Sequence, residues 1–192
     1  MLKSNYGIVL LNIVLLVFFL LVLTGCQEES MESYVKQIED KEIKIQIDEI
    51  EDDAQSIYSE FDRVSRIEID ESEIEDFREL KKTIDALIEK QTELLATVQN
   101  LDIADEEVVE VNNYLIESLK KNIDAANYFY VIAETMVELK MIEEDPPDEG
   151  LEEELNRIII TVFEADEKFR QYKAESEDAL ENWDSLLKEE QE

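Results

Sequence analysis

Any chemistry in this chain has to come from carboxylates. It carries 51 acidic residues against 18 basic ones, no histidine and a single cysteine, Cys26. The missing imidazole removes histidine acid–base catalysis, the triads that use it, and zinc or ferritin-type sites built on it. After Cys26 the only glycine is Gly150, so no glycine-rich loop can cradle a phosphate. Two carboxyls with pKa values pushed apart can cleave a glycosidic bond, but acids this dense pair by chance, and the pattern implies no cleft. The expectation is a non-enzymatic protein with no catalytic residue and no cofactor. Glu51-Asp52-Asp53, Asp70-Glu71-Ser72-Glu73, and Glu143-Glu144-Asp145 with Asp148 and Glu149 offer hard oxygen ligands to calcium. None alternates its acids around a central glycine, as an EF-hand loop requires. They read as solvated helix ends with weak cation binding at most, and no dedicated metal site is expected.

Cys26 belongs to a different pattern. It closes Leu23-Thr24-Gly25-Cys26, behind an apolar stretch from Gly7 to Leu23 that only Asn12 interrupts, and behind Lys3. The first 25 residues hold one cation and no acid, the make-up of a secretory signal. The apolar run of about 17 residues sits at the lower edge of what a spanning helix needs, so length alone also admits a retained anchor. A hydrophobic residue, two small ones and then a cysteine resembles the lipobox of bacterial lipoproteins. The resemblance implies cleavage between Gly25 and Cys26 and a diacylglyceryl group on the Cys26 sulfur. It divides the chain into a signal peptide over 1–25, a lipidated tether over 26–30 and a body over 31–192. Two acyl chains hold a protein where one binds only marginally, and a thioether leaves no redox thiol. The segment is similar to those of Gram-positive lipoproteins, which places the body on the extracytoplasmic face of the cell membrane.

The formal charge is −33. Such a surface repels nucleic acid, anionic headgroups and the phosphates of wall polymers, and attracts cationic partners within about 8–10 Å at physiological ionic strength. Charge this dense can signal disorder. The apolar residues argue otherwise, because they are plentiful and regularly spaced.

The spacing is helical. Leu151, Leu155, Ile158, Val162, Ala165, Phe169, Tyr172, Ser176, Ala179, Trp183 and Leu186 follow steps of four and three, with Ser176 the polar exception. Phe77, Leu80, Ile84, Leu87, Gln91, Leu94, Val98 and Leu101 repeat the rhythm, and Ile74, Ile88 and Leu95 widen the stripe toward a bundle face. Gln91 in mid-stripe is placed to fix register or bond a partner helix. Val109, Ile116, Ile123, Tyr130 and Val137 recur every seven residues, beside Leu115, Leu119, Ala126, Phe129, Ala133 and Met136. Tyr128-Phe129-Tyr130 admits a binding surface but reads first as core and rim. Ile43, Ile47, Ile50, Ala54, Ile57, Phe61 and Val64 form the first stripe, while Met31, Val35 and Ile38 follow a shifted phase, as a stutter would. Ile43, Ile45 and Ile47 also alternate as a strand would, leaving 42–48 open, although the spacing afterwards favours helix.

Ser72 with Glu75 reads as a capping box, Asp102 and Asp105 as first-turn acids, and Asp148 as the cap of the final helix after Pro146 and Pro147. Four helices result, at about 31–66, 72–100, 103–143 and 149–189. Short links make them antiparallel, so an all-α, elongated, coiled-coil-like bundle is expected, with a three-helix core and a separate first helix as its rival. From a membrane at Cys26, the first helix leaves the surface and the fourth returns. The functional expectation is an anchored body that binds another envelope protein or a peptide. The alternatives are an acidic decoy for cationic peptides or cations, and a precursor whose Phe18–Gly25 resembles the pheromones cut from lipoprotein signals. The lipobox together with Asn113–Tyr172, including Glu167-Lys168-Phe169-Arg170-Gln171-Tyr172, is similar to cell-wall-binding helical lipoproteins. Oligomeric state is left open.

Overall fold

The computed structural model describes residues 31–65, 72–144, 147 and 150–189. The signal, lipobox and tether expected over 1–30, and the cap expected at Asp148, lie outside them. The described elements are five helices: α1 over 31–40, α2 over Ile43–Ser65, α3 over Ser72–Gln99, α4 over Glu106–Glu144 and α5 over Leu151–Glu189. Among the described residues there is no strand, so the alternation of Ile43, Ile45 and Ile47 yields to the four-three spacing that surrounds it.

Cross-helix pairs fix the topology. Asp53 with Lys90 and Arg63 with Asp76 run α2 and α3 antiparallel. Lys81 with Glu134 does so for α3 and α4, and Lys121 with Glu175 and Arg157 with Glu138 for α4 and α5. Lys44 with Asp184 closes the ring between α2 and α5. The fold is therefore an all-α antiparallel bundle in which α2 takes a full place, since Ile43, Ile47, Ile50, Ala54 and Ile57 are all buried. At a rise of about 1.5 Å per residue, α4 spans about 58 Å.

The core follows the stripes with two shifts of phase. On α3 every stripe position from Phe77 to Val98 is buried, Gln91 included. On α4 the positions spaced by seven are not the core: Val109 is exposed, and Ile116, Ile123, Tyr130 and Val137 are half-buried. The buried set is Val108, Val111, Leu115, Leu119, Ala125, Ala126, Phe129, Ile132 and Ala133. A strict seven-residue repeat drifts about 20° per heptad around a straight helix, and α4 buries a wide arc against both α3 and α5. At the end of α5 the core passes from Trp183 to Leu187, leaving Leu186 half-buried.

The expected first helix is in fact two. α1 stops at Lys41–Glu42, where Glu42 takes the left-handed φ of 53°. Its N–H donates to the Glu39 carbonyl at 2.9 Å, and the Gln46 side-chain amide caps the Lys41 carbonyl at 2.7 Å. The shifted phase of Met31 and Ile38 is therefore a break that re-aims the chain, not a stutter within one helix. On α1, Tyr34 is buried and Val35 only half so. α4 starts at Glu106 and not at 103, because the Asp105 carboxylate accepts the Glu107 N–H at 2.8 Å and caps the helix. α5 starts at Leu151 and not at 149. Gly150, at φ 82°, supplies the turn and the carbonyl for Glu154 N–H at 3.0 Å.

Gln91 has 0% exposure, and neither its Oε1 nor its Nε2 has a hydrogen-bond partner. A buried amide without partners costs about 1–3 kcal/mol. Gln91→Met, of similar volume, should raise the unfolding free energy by about that amount at an unchanged m-value. Glu42→Gly relieves a left-handed residue at a helix end and should stabilise by about 0.5–1 kcal/mol in the same denaturation experiment.

Candidate functional site

A polar tie secures the end of the bundle at which α1 packs. The Tyr34 hydroxyl donates to Asn112 Oδ1 at 3.1 Å and accepts from Trp183 Nε1 at 3.0 Å. Burial pushes the Tyr34 hydroxyl up to about 12, against the pull of the Trp183 bond. Gln37 grips the backbone of Asp102 with both halves of its amide, at 2.9 and 3.0 Å, so α1 also holds the α3–α4 link. Midway along, the Ser176 hydroxyl donates to the Ser118 carbonyl at 3.0 Å and meets the Ser118 hydroxyl at 3.1 Å. The polar exception on the α5 stripe thus has its partner on α4. These groups are satisfied and structural.

Further along, an aromatic cluster closes the core. Phe129 lies 5.0 Å from Tyr58, 5.0 Å from Phe61 and 5.3 Å from Phe169, with Phe61 at 6.0 Å from Phe77. Edge-on pairs at such separations are favourable beyond simple burial. The flanking tyrosines behave as rim: Tyr128 stacks on Tyr172 at 5.7 Å, and the Lys81 ammonium sits 4.7 Å from the Tyr130 ring centre. Of the resembling stretch, Phe169 joins the cluster, Arg170 pairs with Asp166, and Gln171 donates to Glu175.

Beyond this cluster α2 ends, whereas α4 and α5 continue. Among the described residues the fourth position is left there as an open groove of about 690 Å³. Its floor is Tyr58, Phe61, Phe129 and Phe169, and its walls include Ile132, Met136 and Leu139 of α4 and Ile159 and Phe163 of α5. Phe163 is 70% exposed and Ile159 64%, one helical turn apart on the same face. Ile160, 56% exposed, does not line the groove. The stripe on α5 gave no sign of these residues, but Ile158-Ile159-Ile160-Thr161-Val162-Phe163 holds more apolar residues than one face needs. That surplus was the available signal.

The α2–α5 seam is the loosest of the four. A cleft of about 380 Å³ opens along it, lined by Asp48 and Glu51 of α2 and Glu177 and Glu181 of α5, together with the Lys44–Asp184 pair and the apolar Ile47, Leu180 and Trp183. Partial burial first, then Asp48, Glu177 and Asp52, push the Glu51 carboxyl above its usual range. Glu177 connects this cleft to the groove: Lys173, on the groove wall, pairs with it at 3.8 Å and lies 5.0 Å from the Tyr58 ring centre. Burial, then Glu177, pushes the Tyr58 hydroxyl up to about 12.

The residues expected to carry the lipid and the cleavage, Gly25 and Cys26, lie outside the described residues. Of the acidic clusters, Asp53 is engaged by Lys90 and Glu51 faces the cleft. Among the described residues no three His, Cys, Asp or Glu side chains are grouped to hold a metal ion, and no helix is long and apolar enough to cross a membrane. No protein-family model, curated protein or solved structure matches the chain.

A carboxyl with a raised folded-state pKa binds its proton more readily in the folded chain, so its ionisation opposes folding as pH rises above the ordinary glutamate range. Glu51→Gln should therefore stabilise the bundle at neutral pH. The gain should fade as pH falls into the range where Glu51 is itself protonated, as thermal melts across that range would show.

Proposed function

We propose that this chain is a lipid-anchored lipoprotein of the extracytoplasmic membrane face, whose non-enzymatic helical body docks another envelope protein or a peptide. The address is carried by Leu23-Thr24-Gly25-Cys26 and the apolar stretch before it. Docking is carried by one observation, the apolar groove with Ile159 and Phe163 standing exposed on its wall. Contiguous apolar surface of this kind marks interaction sites in folded proteins. A groove between antiparallel helices suits an amphipathic helix laid along it.

Native chain and Cys26→Ala should be compared in cells fed an alkyne analogue of palmitate. The native chain is expected in the membrane fraction, labelled and shortened by its signal. The Cys26→Ala chain should be unlabelled and retain it. A photocrosslinking residue at position 163 should capture a protein or peptide on intact cells. Native chain in the cytosol with residues 1–25 intact would remove the address, and crosslinks to lipid alone would remove the docking.

A further inference from the structure

We infer that the groove takes a cationic amphipathic helix whose apolar face covers Ile159 and Phe163 and whose basic residues meet the acidic α2–α5 seam. The inference rests on the docking reading above and specifies the partner's chemistry. Three features select this occupant.

The first is shape. The α5 wall runs from Ile158 to Lys173, about 23 Å of helix at 1.5 Å per residue, or roughly four turns. The space is the place a longer α2 would fill, so a helix matches it and an extended strand, with no sheet edge to join, does not. The second is charge. Asp166 lines the groove and Glu167 is exposed on its flank, while Glu177 leads into the cleft of Asp48, Glu51 and Glu181. Arg170 with Asp166 at 3.0 Å and Lys173 with Glu177 at 3.8 Å balance one another, which leaves Asp48, Glu51 and Glu181 of the cleft as the surplus negative charge. A basic helix would relieve carboxylates that now face one another across the seam, whereas a second copy of a chain at −33 would add to their repulsion. The third is position. Tyr34 meets Asn112 and Trp183, and Phe61 meets Phe129 beside Phe169, 17 residues along α4 and 14 along α5, so the groove floor stands about 21–26 Å from the end at which α1, the helix that follows the proposed anchor at Cys26, packs. That distance disfavours lipid as the occupant.

The probe is a synthetic peptide of about 18 residues, roughly 27 Å of helix, built from leucine and lysine with one apolar face. A shuffled peptide of the same composition lacks that face. Binding is measured by fluorescence anisotropy to full-length protein in phosphatidylcholine nanodiscs, with empty nanodiscs subtracted. The amphipathic peptide should bind at least about tenfold more tightly than the shuffled one, and Ile159→Ser with Phe163→Ser should weaken it by at least about tenfold. Ile160→Ser should leave affinity within about twofold, in the range of a near-neutral contact. Circular dichroism should show the same helix content in all variants, since the three side chains are exposed.

Equal binding of the shuffled peptide, collapsing with salt and indifferent to both substitutions, would overturn the inference in favour of diffuse charge capture. Self-association abolished by Phe163→Ser would assign the groove to a second copy. Peptide binding seen only after Ile67→Ser and Ile69→Ser would assign it to the chain's own α2–α3 link. A crosslinked protein on cells without any preference for the amphipathic peptide removes the cationic helix and leaves docking. The converse result, peptide preference without a crosslinked protein or peptide, removes the docking reading and leaves the groove's chemistry.

Discussion

The close antiparallel pairing of α4 with α5 is the constraint on which the rest of the bundle depends. Both helices bury small residues, Ala125, Ala126 and Ala133 on one and Ala165, Ser176 and Ala179 on the other, which lets the backbones approach. The Ser118–Ser176 hydrogen bonds lock their register. With 39 residues each, these helices outrun α2, which has 23. α3 can cover only one flank of the longer pair. Among the described residues the other flank is open beyond the end of α2, and the aromatic cluster around Phe129 seals the core at that boundary. The groove is thus a consequence of unequal helix lengths around a shared core, with no strained or specialised backbone needed to make it.

Charge sets the second constraint. Fifty-one carboxylates on a narrow rod cannot all be neutralised by 18 cations, and the cations are placed where they hold helices together. Lys81, Lys90, Lys121, Arg63 and Arg157 each bridge two helices. Lys44, Lys81, Lys121 and Lys173 also lie over aromatic rings, at 4.7–5.6 Å from the ring centres. Exposed pairs of this sort contribute little each, about 0–1 kcal/mol. Their value is positional, because they leave the α2–α5 seam as the place where like charges meet. There Lys44 with Asp184, at 3.5 Å, faces the repulsion among Asp48, Glu51, Glu177 and Glu181. The loosest packing coincides with like charges that press on Glu51.

Much of this architecture was legible in the residues. The stripe on α3 marks the core without error, because a helix packed around one axis presents one face. Ser176 announced a polar position in the core, though nothing in the spacing named Ser118 as its partner. Gln91 was legible as a polar core residue; of the two roles expected for it, fixing register or bonding a partner helix, the bond is not made, since composition cannot show where a partner's atoms fall. The α1–α2 break was visible only as a phase shift, because no glycine or proline stands at Lys41–Glu42. The repeat on α4 misled for a geometric reason: a helix in contact on two sides has no single stripe, and a period of seven drifts across its buried arc. Ile159 and Phe163 were passed over because a stripe explains what is buried, and these residues are apolar without being buried.

That last omission bears on what a helical bundle of this kind can do. The chain has no histidine to shuttle protons, and Tyr34, Asn112 and Trp183, like Ser118 and Ser176, are consumed by one another, while Gln91 is buried without a partner. The free energy still to be gained lies in the apolar surface that the fold leaves uncovered. Burial stabilises at about 25 cal/mol per Å² of apolar surface removed from water, and Phe163 and Ile159 offer that surface on a rigid wall that need not be ordered on binding. A preformed groove lowers the entropic cost of docking, and the adjoining acidic seam favours approach of cations over anions. In the docking proposed above, hydrophobic burial at the groove would supply affinity and the carboxylates of the seam selectivity.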